Sequence, residues 1–515
     1  MTIKYPITNF LHEIFPTEER TIDSVKKAIS KHYAQGIVNP TIEEKDNQLI
    51  VTIDSASAEI ENKKFRKLIA LCDQKKFQEA SDLAKQLIDE NPKISEYHRI
   101  LGQIQSESGD QESAIDTLID ALRWDPYNEW ALLMMGNIQA KYKKDIDTAL
   151  HFFNQALSCN SKDPISMTSI GYLLLEKNRL DEAVEFCNKA IEINSSFPNT
   201  HLTLAFIAEK KKDYKNQFNH AVNALIHSKQ KDQVYQAAIK TAHEAALEII
   251  SWPENVRIIY EYQAYLQKST DKPIKMDINE SLPVSAKIAV AEYHDKDHHL
   301  VEYKSDFTAI EHLVMHELVH LDFILQARKD EVNELFTSNQ SHDTVFDEIM
   351  LPAENILRKR GLPKENIMGF LNAIKNGLRS QLYNTPIDLF IEDKLYNEFP
   401  DLRPFQFISL YQLNQIGIQA VNSTGVTEIT PDIVVSATRI LNLVNALHFK
   451  NLFGIDLIQE FNAPSLELSK AQTFYEEYQE YRFDKQPGEE YEIIHNWAVD
   501  LGLDGIFKLK KETNY

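Results

Sequence analysis

The segment GQIQSESGDQESAIDTLIDALRWDP, residues 102–126, opens on a small residue, carries alanine at Ala114 and Ala121, and closes on Pro126. Outward from it, those marks return along the chain. Small residues fall at Gly102, Gly136, Gly171 and Ala205; a second series runs Ala80, Ala114, Ala149 and Ala183; a third follows at Ala121, Ala156 and Ala190. The period is about 34 residues, the length of a helix-turn-helix unit that stacks on copies of itself. Small side chains are needed where the two helices of a unit cross closely. Pro92, Pro126, Pro164 and Pro198 close successive units, because proline cannot continue a helix interior. Extra residues near Lys143 to Ile146 are expected to be absorbed in a turn.

Between Lys63 and about Ser228, with aromatic residues such as Phe77, Tyr172 and Phe186 among the small ones, this pattern resembles the tetratricopeptide repeat. The resemblance implies an α-solenoid whose concave face binds a protein or peptide partner. Lys210, Lys211 and Lys212 are candidates for lining such a groove, against the plainer role of a solvated helix face or turn. Gln217 stands where alanine is expected, which marks its hairpin as a candidate capping unit.

Ahead of the array, Thr21 to Ala34 reads as an amphipathic helix, and Thr41 to Glu44 and Gln48 to Ile53 as two strands across a Lys45-Asp46-Asn47 turn. The chain of 515 residues exceeds what one core organises, and 43% hydrophobic content supports burial in two or three domains. A formal charge of −22 argues against nucleic acid, which selects basic faces, and against acidic membranes. No apolar run approaches the ~18 residues of a membrane span. Met1 to Pro16 lacks the marks of a secretory signal, and three scattered cysteines, Cys72, Cys159 and Cys187, suit a reducing compartment. A cytoplasmic location is expected.

The stretch that carries chemistry is IEHLVMHELVHL, residues 310–321, which contains HExxH. Residues four apart on a helix share a face, so His316 and His320 can direct imidazole nitrogens at one metal ion, with Glu317 placed to act on a water at that ion. Imidazoles suit zinc, which polarises a carbonyl and acidifies water. Thr308 and Glu311 have capping-box spacing, and apolar Leu313, Val314, Leu318, Val319, Phe323 and Ile324 describe a buried helix. His312, one turn earlier, reads as a packed helix residue. Lys287 to Tyr293 and His299 to Tyr303 read as antiparallel strands joined at residues 294–297.

This order resembles the zincin metallopeptidases. The resemblance implies that a sheet edge beside the motif helix aligns substrate as an added strand, and His299 to Tyr303 is the nominated edge. One departure is Asp322, where the family commonly has a hydrophobic residue. No HxxGxxH extension follows His320, so the metzincin type is excluded; the gluzincin type takes a carboxylate from a later helix. NTPIDLFIED, residues 384–393, is the best candidate, with Asn384 or Thr385 as cap and Pro386 in the first turn. Glu392 is then the third ligand, and Asp388, on the same face, orients a histidine from behind. Glu354 is the main rival, with Glu334 and His342 after it. An oxyanion donor is sought in His448, on a helix from Pro431 to about Phe453, or in Tyr396.

The fold expected is predominantly α: a small α-plus-hairpin unit over residues 1–58, a tetratricopeptide solenoid over 59–232, and a mainly helical zincin-like domain with a small sheet over 233–515. The expected function is zinc-dependent peptide-bond hydrolysis of a protein recruited by the repeat arm. The alternative is an interaction scaffold with a degenerate metal-binding domain.

Overall fold

The computed structural model describes residues 1–9, 11–17, 20–252 and 257–512. Its helices and small sheets form two compact units, Met1–Thr203 and Leu204–Tyr515, where the sequence suggests three segments. The reasons are local. Helix Ser55–Asp73 buries Leu68 in the core of the first repeat helices, and Ile37 and Val38 of the head pack on that same core, so head and repeats are continuous. Helix Tyr214–His227, expected to end the array, packs against Gln233–Ile250 and Asp432–Phe453, with the Phe218 ring edge-on to Phe407.

The first unit begins with a three-stranded antiparallel sheet, Thr2–Pro6 beside Gln48–Thr52 beside Thr41–Lys45. Asp46 and Asn47, both left-handed, make the two-residue turn of the expected hairpin. The strand Thr2–Pro6 is not foreseen from sequence. Helix Ile22–Tyr33, capped by Thr21 with Ser24 answering in a capping box, lays Val25 and Ile29 among Leu49, Val51 and Ile53.

Paired repeat helices follow: Ser55–Asp73 with Phe77–Glu90, Ser95–Glu107 with Gln111–Trp124, Glu129–Ile138 with Ile146–Cys159, and Pro164–Glu176 with Leu180–Ile193. The small residues of all three series are buried, and Gly102, Gly136 and Gly171 meet the second helix of their own pair. A Cβ on Gly136 would lie 2.8 Å from the Phe153 ring, and one on Gly171 would lie 2.6 Å from the Cys187 sulfur, which is why only hydrogen fits there. Pro164 and Pro198 open the first helix of the next unit, because the missing N–H costs nothing at a helix start. The extra residues after Gly136 form a π-helical turn, Gln139–Lys143, closed by left-handed Lys144.

In the second unit Gln217 is buried, and Gln233–Ile250 covers its helix with Ala238, Ala242, Ala245 and Ala246, so the hairpin carrying Gln217 is not a terminal cap. The sheet of this unit runs Ile274–Ile278, His299–Tyr303, Ala286–Ala289. His299–Tyr303 is its central strand, parallel to the first and antiparallel to the third. With both edges paired it cannot accept an added strand, contrary to the expectation. The strand expected over Lys287 to Tyr293 stops at Ala289. Buried His299 accepts the Ala291 N–H at 3.2 Å through Nδ1, and Ala291–His294 coils into a 3₁₀ turn.

Two long helices carry the motifs. Ile310–Lys329 starts after left-handed Ala309 with no side-chain cap, so Thr308 lies one residue too early for the expected capping box. Lys364–Glu398 is one continuous helix with Pro386 inside it. Asn384 bonds Ser380 one turn back instead of starting a helix, and burial of Thr385, Pro386 and Ile387 offsets the lost backbone hydrogen bond. Far along the chain, Lys508–Lys511 pairs with Glu334–Thr337, and Glu512 forks onto Arg328 of the motif helix at 2.9 and 3.0 Å. Among the described residues, no helix is long and apolar enough to cross a membrane.

Candidate functional site

Helices Ile310–Lys329 and Lys364–Glu398 set three histidines against two carboxylates. His316 Nε2 and His320 Nε2 lie 3.2 and 3.1 Å from one oxygen of Asp388, and His316 Nδ1 lies 2.8 Å from Glu392 Oε1. Glu392 Oε2 accepts from His312 Nε2 at 2.9 Å and from Gln406 Nε2 at 2.6 Å. Every third or fourth residue of a helix returns to one face, which stacks His312, His316 and His320. The pairing order shows that the facing helix runs the other way: earlier Asp388 meets the later histidines and later Glu392 meets the earlier ones.

The electrostatics follow from burial and pairing. Burial alone would raise Glu392, yet its contacts with His312 and His316 hold its carboxyl far below the usual range. Asp388 is also lowered, as hydrogen bonds from His316 and His320 outweigh its desolvation. Burial opposes charge on His316, but Asp388 and Glu392 raise its imidazole well above its ordinary value. A neutral imidazole carries one N–H. Placed between two carboxylates, His316 therefore needs either a second proton or a cation at Nε2.

That requirement is a fit test for a divalent metal. The ligand atoms of His316, His320 and Asp388 lie within 4.8 Å of one another, as do those of His312, His316 and Glu392. The first set is partly open, whereas His312 and Glu392 are sealed in the core. Two imidazole nitrogens and a carboxylate oxygen suit zinc. Donation of Nδ1–H to Glu392 leaves the other ring nitrogen of His316 free to ligate. Glu392, the expected third ligand, falls in the set with His312 and His316, while Asp388 falls in the set with both motif histidines.

Other expected participants lie elsewhere. Glu354 is ion-paired with Arg358, Glu334 is in the strand that pairs with Lys508–Lys511, and His342 accepts the Asn339 N–H in a helix-capping box. Burial holds His448 down to about 4, its neighbours being Asp393 and Tyr475; Tyr396 lies under the Arg403 guanidinium. Asp322, the odd residue of the motif helix, accepts the Tyr262 hydroxyl at 2.8 Å and stands 3.9 Å from Lys394. Glu317 Oε2 accepts the Ile288 N–H at 2.8 Å, so the sheet edge beside the motif helix is Ala286–Ala289. Two participants escape the sequence reading. His312 carries a signal, the third histidine at four-residue spacing; Gln406 carries none.

The repeats hold a separate groove of about 850 Å³ in the first unit, lined by Arg99, Gln103, Trp130, Met134, Asn137 and Tyr142 among others. Trp130 and Tyr142 are half exposed. Lys210 to Lys212 are not among its lining; Lys210 ends the helix Pro198–Lys210, Lys211 and Lys212 form the turn after it, and Lys212 is left-handed.

Family models of the tetratricopeptide repeat match residues 65–129 and 166–197. The chain carries these repeats, a class of module that binds proteins. No curated protein matches the chain. Among solved structures, PilF of Pseudomonas aeruginosa is similar at 15% identity, over 37% of this chain and 90% of that one, with a TM-score of 0.31. TTC0263, a tetratricopeptide protein of Thermus thermophilus, is similar at 15% identity, over 36% and 99%, with a TM-score of 0.32. YrrB, described as having an unusual peptide-binding site, is similar at 17% identity, over 36% and 95%, with a TM-score of 0.28.

Proposed function

We propose that this repeat-bearing chain is a zinc-dependent hydrolase of peptide bonds, and that the concave face of its array holds the substrate protein or a partner. The observation that carries the reading is the convergence of His316 Nε2 and His320 Nε2 on one Asp388 oxygen, with the far nitrogen of His316 held by Glu392. His316, His320 and Asp388 would hold the ion. Zinc so bound would supply a Lewis acid that polarises a carbonyl and acidifies water. Glu392 keeps the His316 ring in the tautomer that ligates. Glu317 is the proton acceptor: the Ile288 N–H occupies its Oε2, and Oε1 is left to take a proton from water and pass it to the departing amine. The groove around Trp130 and Tyr142 offers flat, rigid surface of the kind that anchors a partner's apolar side chains. Three free cysteines support a cytoplasmic, reducing setting.

The test is zinc content of the purified chain together with hydrolysis of a fluorogenic peptide library. Glu317→Gln is expected to keep one equivalent of zinc and lose hydrolysis. A second reading, a non-catalytic scaffold that binds metal, is favoured by one observation: Glu317 already caps the edge of Ala286–Ala289 and belongs to neither ligand set. No hydrolysis by a parent chain that holds zinc would select that second reading, whereas equal hydrolysis by the parent and Glu317→Gln would exclude Glu317 as the proton acceptor.

A further inference from the structure

We infer that Gln406 is a positioning residue for the metal site, acting through Glu392 and His316; the inference rests on the zinc reading above. Gln406 lies on helix Arg403–Asn422 and is fully buried. Its Nε2 donates twice to one residue, at 2.6 Å to Glu392 Oε2 and at 2.9 Å to the Glu392 main-chain oxygen. A primary amide has two N–H groups, and both are spent on Glu392.

The consequence is a division of labour between the two carboxylate oxygens. Oε2 is saturated by Gln406 and His312, which reserves Oε1 for the Nδ1 of His316. Released from that grip, the glutamate side chain could rotate, and His316 would lose the partner that fixes its ring. The donor type matters as well. Arginine or lysine in this place would neutralise Glu392, whereas a neutral amide orients the carboxylate and leaves its charge to act on His316.

Gln406 also carries a cost that a packing residue would not. Its Oε1 is buried with no hydrogen-bond partner among the described residues, a desolvation cost that an apolar packing side chain would not bear. Ser409 provides the comparison: it is on the same helix, equally buried, and makes no bond to Glu392.

The experiment uses the full chain and zinc or cobalt alone as probes. Gln406→Met keeps the volume and removes the donor; Gln406→Asn keeps the amide but shortens it so that both bonds to Glu392 cannot be made together. Both are expected to weaken zinc in chelator competition by about 10- to 100-fold, the usual effect of losing an outer partner of a ligand. The visible absorption of the cobalt-loaded protein should shift, while a cooperative thermal melt of each metal-free variant reports that it is folded. Ser409→Ala should leave affinity and spectrum unchanged. Zinc affinity of folded Gln406→Met or Gln406→Asn within twofold of the parent, or an equal loss in Ser409→Ala, overturns the positioning role. A parent chain that takes up no zinc overturns the metal reading itself, and this inference with it.

Discussion

His448 should make the second unit acid-sensitive. The residue is buried in helix Asp432–Phe453, its Nε2 has no hydrogen-bond partner among the described residues, and its other nitrogen is 3.4 Å from the Tyr475 hydroxyl. Desolvation holds its imidazole at about 4, against an ordinary value of 6.5, although Asp393 pulls the other way. In the unfolded chain the ring takes its proton near 6.5; in the native unit it does so only near 4. Acidification through that window therefore favours the unfolded chain, and no such loss occurs above 6.5. The interval corresponds to about 3 kcal/mol at 1.36 kcal/mol per pH unit. The comparison is urea unfolding of the parent and His448→Gln between about pH 7 and about pH 4. Replacing Trp124, Trp130 and Trp252 with phenylalanine leaves Trp497, stacked on Phe474 in the same unit, as the sole indole reporter. Stability of the parent should fall more steeply, the two curves diverging by about 3 kcal/mol at about pH 4. Parallel curves would refute the assignment of a buried neutral imidazole.

Asp388→Ala should abolish stoichiometric zinc binding, whereas Glu392→Gln should weaken it by about 10- to 100-fold; titration calorimetry at fixed pH ranks the two, and the reverse order would restore Glu392 as the ligand. Tyr262→Phe removes the hydroxyl that meets buried Asp322 and should lower stability by about 1–3 kcal/mol in denaturant unfolding; a neutral result would mean that Lys394 suffices for Asp322. Gly136→Ala drives a methyl toward the Phe153 ring and should cost about 1–3 kcal/mol in the repeat unit, read from its thermal melt, with Gly109→Ala as a strain-only comparison because nothing crowds that glycine.

The repeats were legible because close crossing restricts a position to hydrogen or methyl whatever surrounds it, and that restriction recurs with the period of the unit. The motif helix was legible for a similar reason, since one turn of helix fixes which residues share a face. The orientation of the helix that meets it was not. Asp388 and Glu392 share one face, and which of them faces the open end depends on running direction, which no local pattern encodes. Pro386 misled because a proline inside a well-buried helix has the same sequence signature as one at a helix start. His299–Tyr303 is central only because Ile274–Ile278 pairs with it, and that five-residue strand is absent from the sequence reading. Gln406 lies on a helix buried on several faces, where one polar side chain among apolar neighbours gives no sign of what it touches.

The clasp between Glu512 and Arg328 spans 184 residues of chain. During synthesis at ~5–20 residues per second, the motif helix leaves the ribosome about 10–40 s before the strand that locks its far end. Contacts of such long range form late. In the interval the histidines are already present on a helix whose C-terminal anchor does not yet exist, so assembly of the second unit is tied to a stretch translated well after the motif. A nascent chain halted before Lys508 would carry the motif without its clasp.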